Sequence, residues 1–366
     1  MSKIIFFIIA CGMVNAAFCS EPAGEVLVFR GASDASAAVS IGEDMFIVAD
    51  DENNILRIYH IKKAGLPVFS FDLTEFLDID PEHPEADIEG ATMIGHRIYW
   101  ITSHGRNKDG KMRPNRYRFF ATDVKIENDN VTINPVGKPY DKLVHRLIKT
   151  SDMRPLKLDK VTRFGADLSG KEREKLAPKK EGLNIEGLCA SAVGGTIYIG
   201  FRNPRPLGKS GRNEALVVPL NNPSKVIDSN EAPVFGEPIL WDLKRLGIRS
   251  MEYSEFHKTY FIIAGAFDET ARFALYQWSG QKDAQPELVK ELSQSNFSPE
   301  ALVVFKDSER LLLLSDDGSL PVKVSGPHEC MENEYREDGT CQNKYLLNPK
   351  RKTFRGIWLV PRKKAL

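Results

Sequence analysis

The apolar and polar positions of the chain fall into a phrase that occurs five times. A polar residue opens a run of alternating apolar side chains, a turn follows, and then comes a second strand that is apolar almost throughout. The copies open at Ser36-Ala-Ala-Val, Glu89-Gly-Ala-Thr, Glu186-Gly-Leu-Cys, Glu252-Tyr and Glu300-Ala-Leu-Val-Val. Their second strands read Met45-Phe-Ile-Val-Ala, Ile98-Tyr-Trp-Ile-Thr, Ile197-Tyr-Ile-Gly, Tyr260-Phe-Ile-Ile-Ala-Gly and Leu311-Leu-Leu-Leu-Ser. Period-two alternation marks a strand with one face in the core, and an unbroken apolar run of this length marks one buried on both faces.

The same signals predict third strands at residues 55–61, 117–124, 215–220 and 273–278, and fourth strands at 67–73, 130–136, 238–243 and 286–292. Four antiparallel strands joined by short turns, repeated along a chain, predict an all-β fold, a β-propeller. The openings lie 53, 97, 66 and 48 residues apart. The longest gap owes its excess to residues 141–182, where Asp141-Lys-Leu-Val-His-Arg-Leu-Ile-Lys149 has helical spacing, so a helical insertion is expected there. The fifth copy ends on its third strand, at residues 355–360, while a strand at residues 25–29 belongs to no copy. Pairing these two segments gives five blades in one domain over residues 21–366 and closes the ring without exposed edges.

Residues 1–20 stand outside this pattern. Lys3, the apolar run Ile4–Ala10 and the small residues around Ala16 and Ala17 form the charged start, short greasy centre and exit of a secretory signal peptide. The rival reading is lipid attachment at Cys11 or Cys19, which the short apolar run ahead of Cys11 and the bulky Phe18 ahead of Cys19 disfavour. The expected location is therefore periplasmic or secreted, with no integral membrane segment once the signal is removed. Composition agrees with a folded chain: of 366 residues, 42% are hydrophobic and 27% charged. Fifty basic residues balance fifty acidic ones, which argues against a nucleic-acid partner held by bulk charge. Five cysteines are too few for a disulfide scaffold, but export permits a bridge between Cys330 and Cys341 in the polar loop 319–353. Cys189 falls in an apolar strand and reads as a buried thiol.

Candidate chemistry follows from the repeat. The innermost strand of each blade lines the channel, so Ser36, Glu89, Glu186, Glu252 and Glu300 are expected to aim one hydroxyl and four carboxylates at a shared axis. Asp34, Asp87, Asn184, Ser250 and Ser298 lie two places earlier, on the same side. Like charges at such range do not all stay ionised without compensation. A hard cation bound through oxygen is one remedy, and calcium, which accepts six to eight oxygens in loose geometry, suits the ring. Protonation, and buried water with Arg partners, are the other remedies.

Loops between second and third strands surround the same mouth. They bring His104 and Arg106 from blade two, Arg202 from blade three, Asp50 and Asp51 from blade one, and Asp316 and Asp317 from blade five, while Arg249 joins from the start of blade four. A cation rimmed by arginines would hold an anionic or phosphorylated small molecule. On that reading His104, Arg106, Arg202 and Arg249 clamp the substrate and an aspartate such as Asp317 is the general base of a calcium-dependent phosphohydrolase. The rivals are a non-catalytic module for an anionic glycan or protein partner, and a glycosidase with paired carboxylates. Gly208-Lys209-Ser210 is no phosphate-binding loop, because Asn203 stands where that motif needs glycine. The insertion carries 12 basic against 7 acidic residues, which reads as a solvated face.

Glu89-Gly-Ala with Ser103-His-Gly-Arg106, Glu186-Gly-Leu with Gly200-Phe-Arg-Asn-Pro204, Gly247-Ile-Arg-Ser-Met-Glu252, Pro299-Glu300-Ala and Ser315-Asp-Asp-Gly318 together resemble domain of unknown function 3616, an exported bacterial family with no assigned activity. The resemblance implies export and a propeller. More distantly, the ring is similar to that of the calcium-activated apyrases, five-bladed nucleotidases with one Ser or Glu per blade around a central calcium. The first repeat, Ser36 to Asp50-Asp51 and on to Tyr59, also looks apyrase-like. Phytase-like propellers share the theme of calcium beside basic residues. These likenesses imply calcium more than nucleotide hydrolysis.

Overall fold

The computed structural model of the protein describes residues 26–127, 130–268, 270–292 and 296–361, so the expected signal segment 1–20, with Cys11 and Cys19, lies outside the described residues. Five four-stranded antiparallel sheets stand around one axis. Their innermost strands are Ala37–Ile41, Ile88–Ile94, Asn184–Ala190, Gly247–Ser254 and Pro299–Val304, and each packs against the innermost strand of the next blade, the fifth returning to the first. This is the five-bladed β-propeller that the repeated phrase predicts.

Closure follows the same logic. Val26–Arg30 pairs antiparallel with Thr353–Leu359 and becomes the outer strand of the fifth blade, in the order Pro299–Val304, Leu311–Ser315, Thr353–Leu359, Val26–Arg30. Phe29 anchors the seam: its ring lies 5.1 Å from Phe354, 5.1 Å from Phe46 and 5.4 Å from Tyr59. Burial of an aromatic that size stabilises by roughly 2–3 kcal/mol, here spent on holding first and last blades together.

Five apolar clusters occupy the five gaps between neighbouring blades, rather than one central core. That leaves the axis to polar groups and to small residues. Gly187 is an instance: a Cβ there would come within 2.7 Å of Ile248 and 3.2 Å of Gly200, so only glycine admits the fourth blade so close to the third. Third and fourth strands begin or end up to four residues from the predicted bounds, as in Phe119–Glu127, Asn130–Tyr140 and Ile239–Trp241.

The insertion holds short helices at Leu143–Leu147, Leu158–Thr162 and Gly170–Glu174. Leu143, Val144, Leu147, Met153 and Leu158 extend the cluster between blades two and three, which explains why a basic segment keeps a helical apolar stripe. Beyond the second strand of blade five, the cysteine loop forms a small hairpin, Pro321–Lys323 with Thr340–Gln342. The bridge expected there is absent. Cys330 and Cys341 are buried as free thiols, and Cys330 helps burial to raise the Cys341 thiol.

Candidate metal centre at the channel mouth

Each innermost strand of blades two to five carries a β-bulge at its mouth end, and the bulged residue is the one aimed at the axis. The register skips one residue between Ile88 and Gly90, between Ile185 and Gly187, between Ile248 and Ser250, and between Pro299 and Ala301. The skipped residues are Glu89, Glu186, Arg249 and Glu300. In blade four the position predicted for Glu252 therefore belongs to Arg249. A bulge re-aims one side chain and shifts everything after it, so residues aligned by the glutamate alone fall out of phase by three.

Glu252 lies further along its strand, paired with Phe261 and electrostatically next to the buried Cys189 thiol. Its Oε2 has no partner, and burial pushes its carboxyl up to about 8. Ser36, in blade one, donates its hydroxyl to the Ile88 carbonyl at 2.7 Å and lies 3.1 Å from the Ala49 carbonyl, which makes it a latch between blades one and two.

Arg249 changes the electrostatics of the ring. Its Nη1 lies 3.1 Å from Glu186 Oε2 and 2.6 Å from Glu300 Oε1, and Arg202 Nη1 donates to Glu186 Oε1 at 2.9 Å. Burial would raise the Glu186 carboxyl, yet Arg249 and Arg202 outweigh it and hold Glu186 below the usual range. Glu300 is pushed up to about 7 by burial and by Asp316, against the pull of Arg249. Asn184 Nδ2 gives Glu186 a further bond at 2.7 Å. The blade-three and blade-four side of the mouth is thus neutralised from within.

The opposite side is not. Asp34, Glu300 and Asp316 bring carboxylate oxygens within 4.8 Å of one another, and Asp51, Asp87 and Glu89 form a second such group. Arg116 serves Asp87 at 2.9 Å, but Asp34, Asp51 and Glu89 make no ion pair with any described residue. Asp34 is 4% exposed and its Oδ1 is left without a hydrogen bond; Asp51 Oδ1 is orphaned too. Burial first, then Asp316 for Asp34 and Glu52 for Asp51, drive both carboxyls well above their ordinary range. Glu89 is raised likewise, by burial and then by Glu186. An unpartnered buried carboxylate oxygen costs several kcal/mol unless something compensates it. Asp34, Asp51 and Glu89 have no cation of their own, and the two all-oxygen groups to which they belong are donor sets for a hard ion such as calcium.

The Asp-Asp pairs divide their labour. Asp50 accepts from the backbone amides of Ser33 and Glu52, at 3.0 Å each, while Asp51 joins the second acidic group. Asp316 joins the first group, and its backbone bridges Asp34, whereas Asp317 is held by Arg355 at 2.7 Å and is 2% exposed.

The predicted substrate clamp does not assemble. His104 is fully buried and its Nδ1 donates to the Thr102 carbonyl at 2.9 Å; the tautomer follows because a carbonyl only accepts. Burial pushes it down to about 4, so its ring is neutral. Arg106 donates to the carbonyls of Gly110 and Arg163 and staples the insertion to blade two. Arg202 and Arg249 are committed to the carboxylates above. The sequence puts Asp34 and Asp87 on the same side as the ring and Asp51 and Asp316 at its mouth, but it assigns the metal to the opening residues of the strands. The signal that places Arg249 in the ring is a triplet, an apolar or small residue before the bulge and a small one after it: Ile88-Glu89-Gly90, Ile185-Glu186-Gly187, Ile248-Arg249-Ser250, Pro299-Glu300-Ala301, with Ala35-Ser36-Ala37 in blade one.

A family model described as "Protein of unknown function (DUF3616)" matches residues 34–309. No curated protein sequence matches the chain. Among solved structures, similarity extends to a protein of unknown function from Bacteroides thetaiotaomicron VPI-5482, at 8% identity and TM-score 0.39, covering 92% of this chain and 76% of that one. The Cps50 (Swd1) β-propeller domain of Myceliophteria thermophila is similar at 11% identity and TM-score 0.35, over 92% and 99% of the two chains. A glutaminyl cyclase from Myxococcus xanthus is similar at 12% identity and TM-score 0.37, over 80% and 93%.

Proposed function

The chain belongs to the DUF3616 family of proteins of unknown function, and for this member we propose a cation-dependent binding module that holds an anionic ligand at the channel mouth. Calcium is the ion the donors suit: all are oxygens, no histidine or thiol stands among them, and the loose spacing tolerates a high coordination number. Asp34, Glu300 and Asp316 would hold the ion, with Asp51, Asp87 and Glu89 as a second group. Once bound, the cation would supply the positive charge that neutralises this rim and attracts ligand oxygens.

The observation that carries the reading is Asp34, buried, orphaned at Oδ1 and without an ion pair among the described residues. Binding is favoured over turnover because the residues expected to act on a substrate are spent elsewhere. His104 is buried and neutral, Arg106 holds the insertion, and Asp317 is locked to Arg355. At a periplasmic or secreted location, affinities on the order of 0.1–1 mM suffice for such modules.

Calorimetric titration with calcium tests the proposal. Heat of binding that disappears in Asp34→Asn is the expected result, and its absence in the wild-type protein refutes the cation site. Assays on p-nitrophenyl phosphate and nucleoside diphosphates, with calcium and with EDTA, decide the rest. Calcium-dependent turnover would replace the binding reading with a phosphohydrolase.

A further inference from the structure

A cavity of about 320 Å³ opens on the mouth face between blades three and four, lined by Arg205, Arg212, Asn213, Arg245, Phe267 and Gly211. It lies beside the neutralised half of the ring, since Arg202, which pairs with Glu186, also donates to the carbonyl of Asp268 next to Phe267. We propose that this cavity binds a phosphate group, the anionic end of the ligand whose cation site was proposed above; it deepens that reading and is tested apart from it.

Three guanidinium groups converge here and are only partly neutralised. Arg212 pairs with Asp242, at 2.5 Å. Arg205 and Arg245 make no ion pair with a described residue. Arg205 lies flat, its Cζ 3.9 Å above the Phe267 ring, with Nε bonded to Asn203 Oδ1 and Nη1 to the Arg245 carbonyl. Stacking and these two bonds fix the plane of the fork, and burial pulls its proton affinity below the usual arginine range. The Asp268 carboxylate offsets that burial only in part, and a desolvated, oriented guanidinium with no ion-pair partner is costly to keep unless an anion completes it. Planar forks of this kind match the oxygens of a phosphate two at a time.

The surrounding loops are built to hold the arginines. Gly208 donates its amide to the Arg212 carbonyl, and Glu214 donates its amide to the Pro206 carbonyl, so Gly208-Lys209-Ser210-Gly211 is the turn of a small loop that carries Arg212. A Cβ on Gly208 would overlap the Glu214 carboxylate at 1.9 Å. Lys244 and Arg245 both take left-handed backbone, at φ 55° and 68°. Two successive non-glycine residues in that region mark a turn kept for its side chains.

The experiment titrates inorganic phosphate into the purified protein in EDTA, at ionic strength held constant with chloride. Wild-type protein should bind phosphate, Arg245→Gln and Arg212→Gln should weaken it at least tenfold with unchanged melting temperature, and Asp34→Asn should leave it intact. Arg245 is exposed and its side chain bonds to no described residue, so Arg245→Gln leaves the fold untouched. Failure of the wild type to bind phosphate over chloride, or wild-type affinity in Arg245→Gln, overturns the proposal. Because calcium is absent throughout, failure of the cation site leaves these outcomes unaffected and is read in the calcium titration alone.

Discussion

Arg249 Nη1 stands 2.6 Å from Glu300 Oε1, and the same nitrogen reaches Glu186, so one guanidinium neutralises the carboxylates of the two blades that flank it. All three side chains are largely buried, and breaking such a network leaves charge stranded in low dielectric. Arg249→Met is therefore expected to destabilise the protein by about 3–5 kcal/mol in EDTA, measured by chemical denaturation. Calcium should recover part of that loss, because the variant gains net negative charge at the mouth. A calcium-induced rise in melting temperature no larger than that of the wild type would contradict the electrostatic account.

The architecture was legible because a propeller writes itself locally. Each blade repeats the same alternation, and the apolar gaps between blades are filled by that alternation alone. The candidate site was legible in part. Glu89, Glu186 and Glu300 were found at the axis because each precedes a small residue at a strand start. Glu252 was misassigned because a bulge is a property of strand pairing, and a single-chain pattern does not reveal which residue the partner strand skips. That Asp34 and Asp316 share one acidic group is hidden for a similar reason: they are far apart in sequence and meet only when blade five closes onto blade one.

The second prediction concerns Asp34. Replacing a buried, orphaned carboxyl by its neutral isostere removes repulsion with Asp316 and Glu300, so Asp34→Asn should match or exceed the wild type in EDTA, by about 1–2 kcal/mol. It should also lose the stabilisation that calcium gives the wild type, which for a single site at a hundredfold excess over Kd is about 2.7 kcal/mol. Thermal scans of both proteins in EDTA and in calcium read both effects. Equal calcium shifts in the two would remove Asp34 from the site.

A third prediction uses His104, whose ring bonds the Thr102 carbonyl. Its folded proton affinity is pushed down to about 4 by burial, below the 6.5 of an exposed imidazole. The unfolded chain then binds the extra proton first, so this residue's contribution is intact above pH 6.5 and is lost as pH falls toward 4. Between pH 7 and pH 5 the loss is about 2 kcal/mol. His104→Asn, which tolerates the left-handed backbone at φ 52°, should flatten the acid limb of the stability curve by that amount, measured by urea denaturation at both pH values.

Glu252 predicts the opposite slope. Burial beside Cys189, with Oε2 unpartnered, raises its carboxyl to about 8, above the 4.5 of an exposed glutamate. The folded state therefore holds the proton more tightly than the unfolded one, and its contribution is fully present below pH 4.5 and lost as pH rises through 8. From pH 6 to pH 9 the wild type should lose about 2–3 kcal/mol through this group. Glu252→Gln keeps the shape and carries no proton to lose, so over that interval it should lose about 2–3 kcal/mol less than the wild type while calcium binding at the mouth is unchanged. A variant that weakens with alkali as much as the wild type, or that no longer binds calcium, would return Glu252 to the ring from which the bulge at Arg249 displaces it.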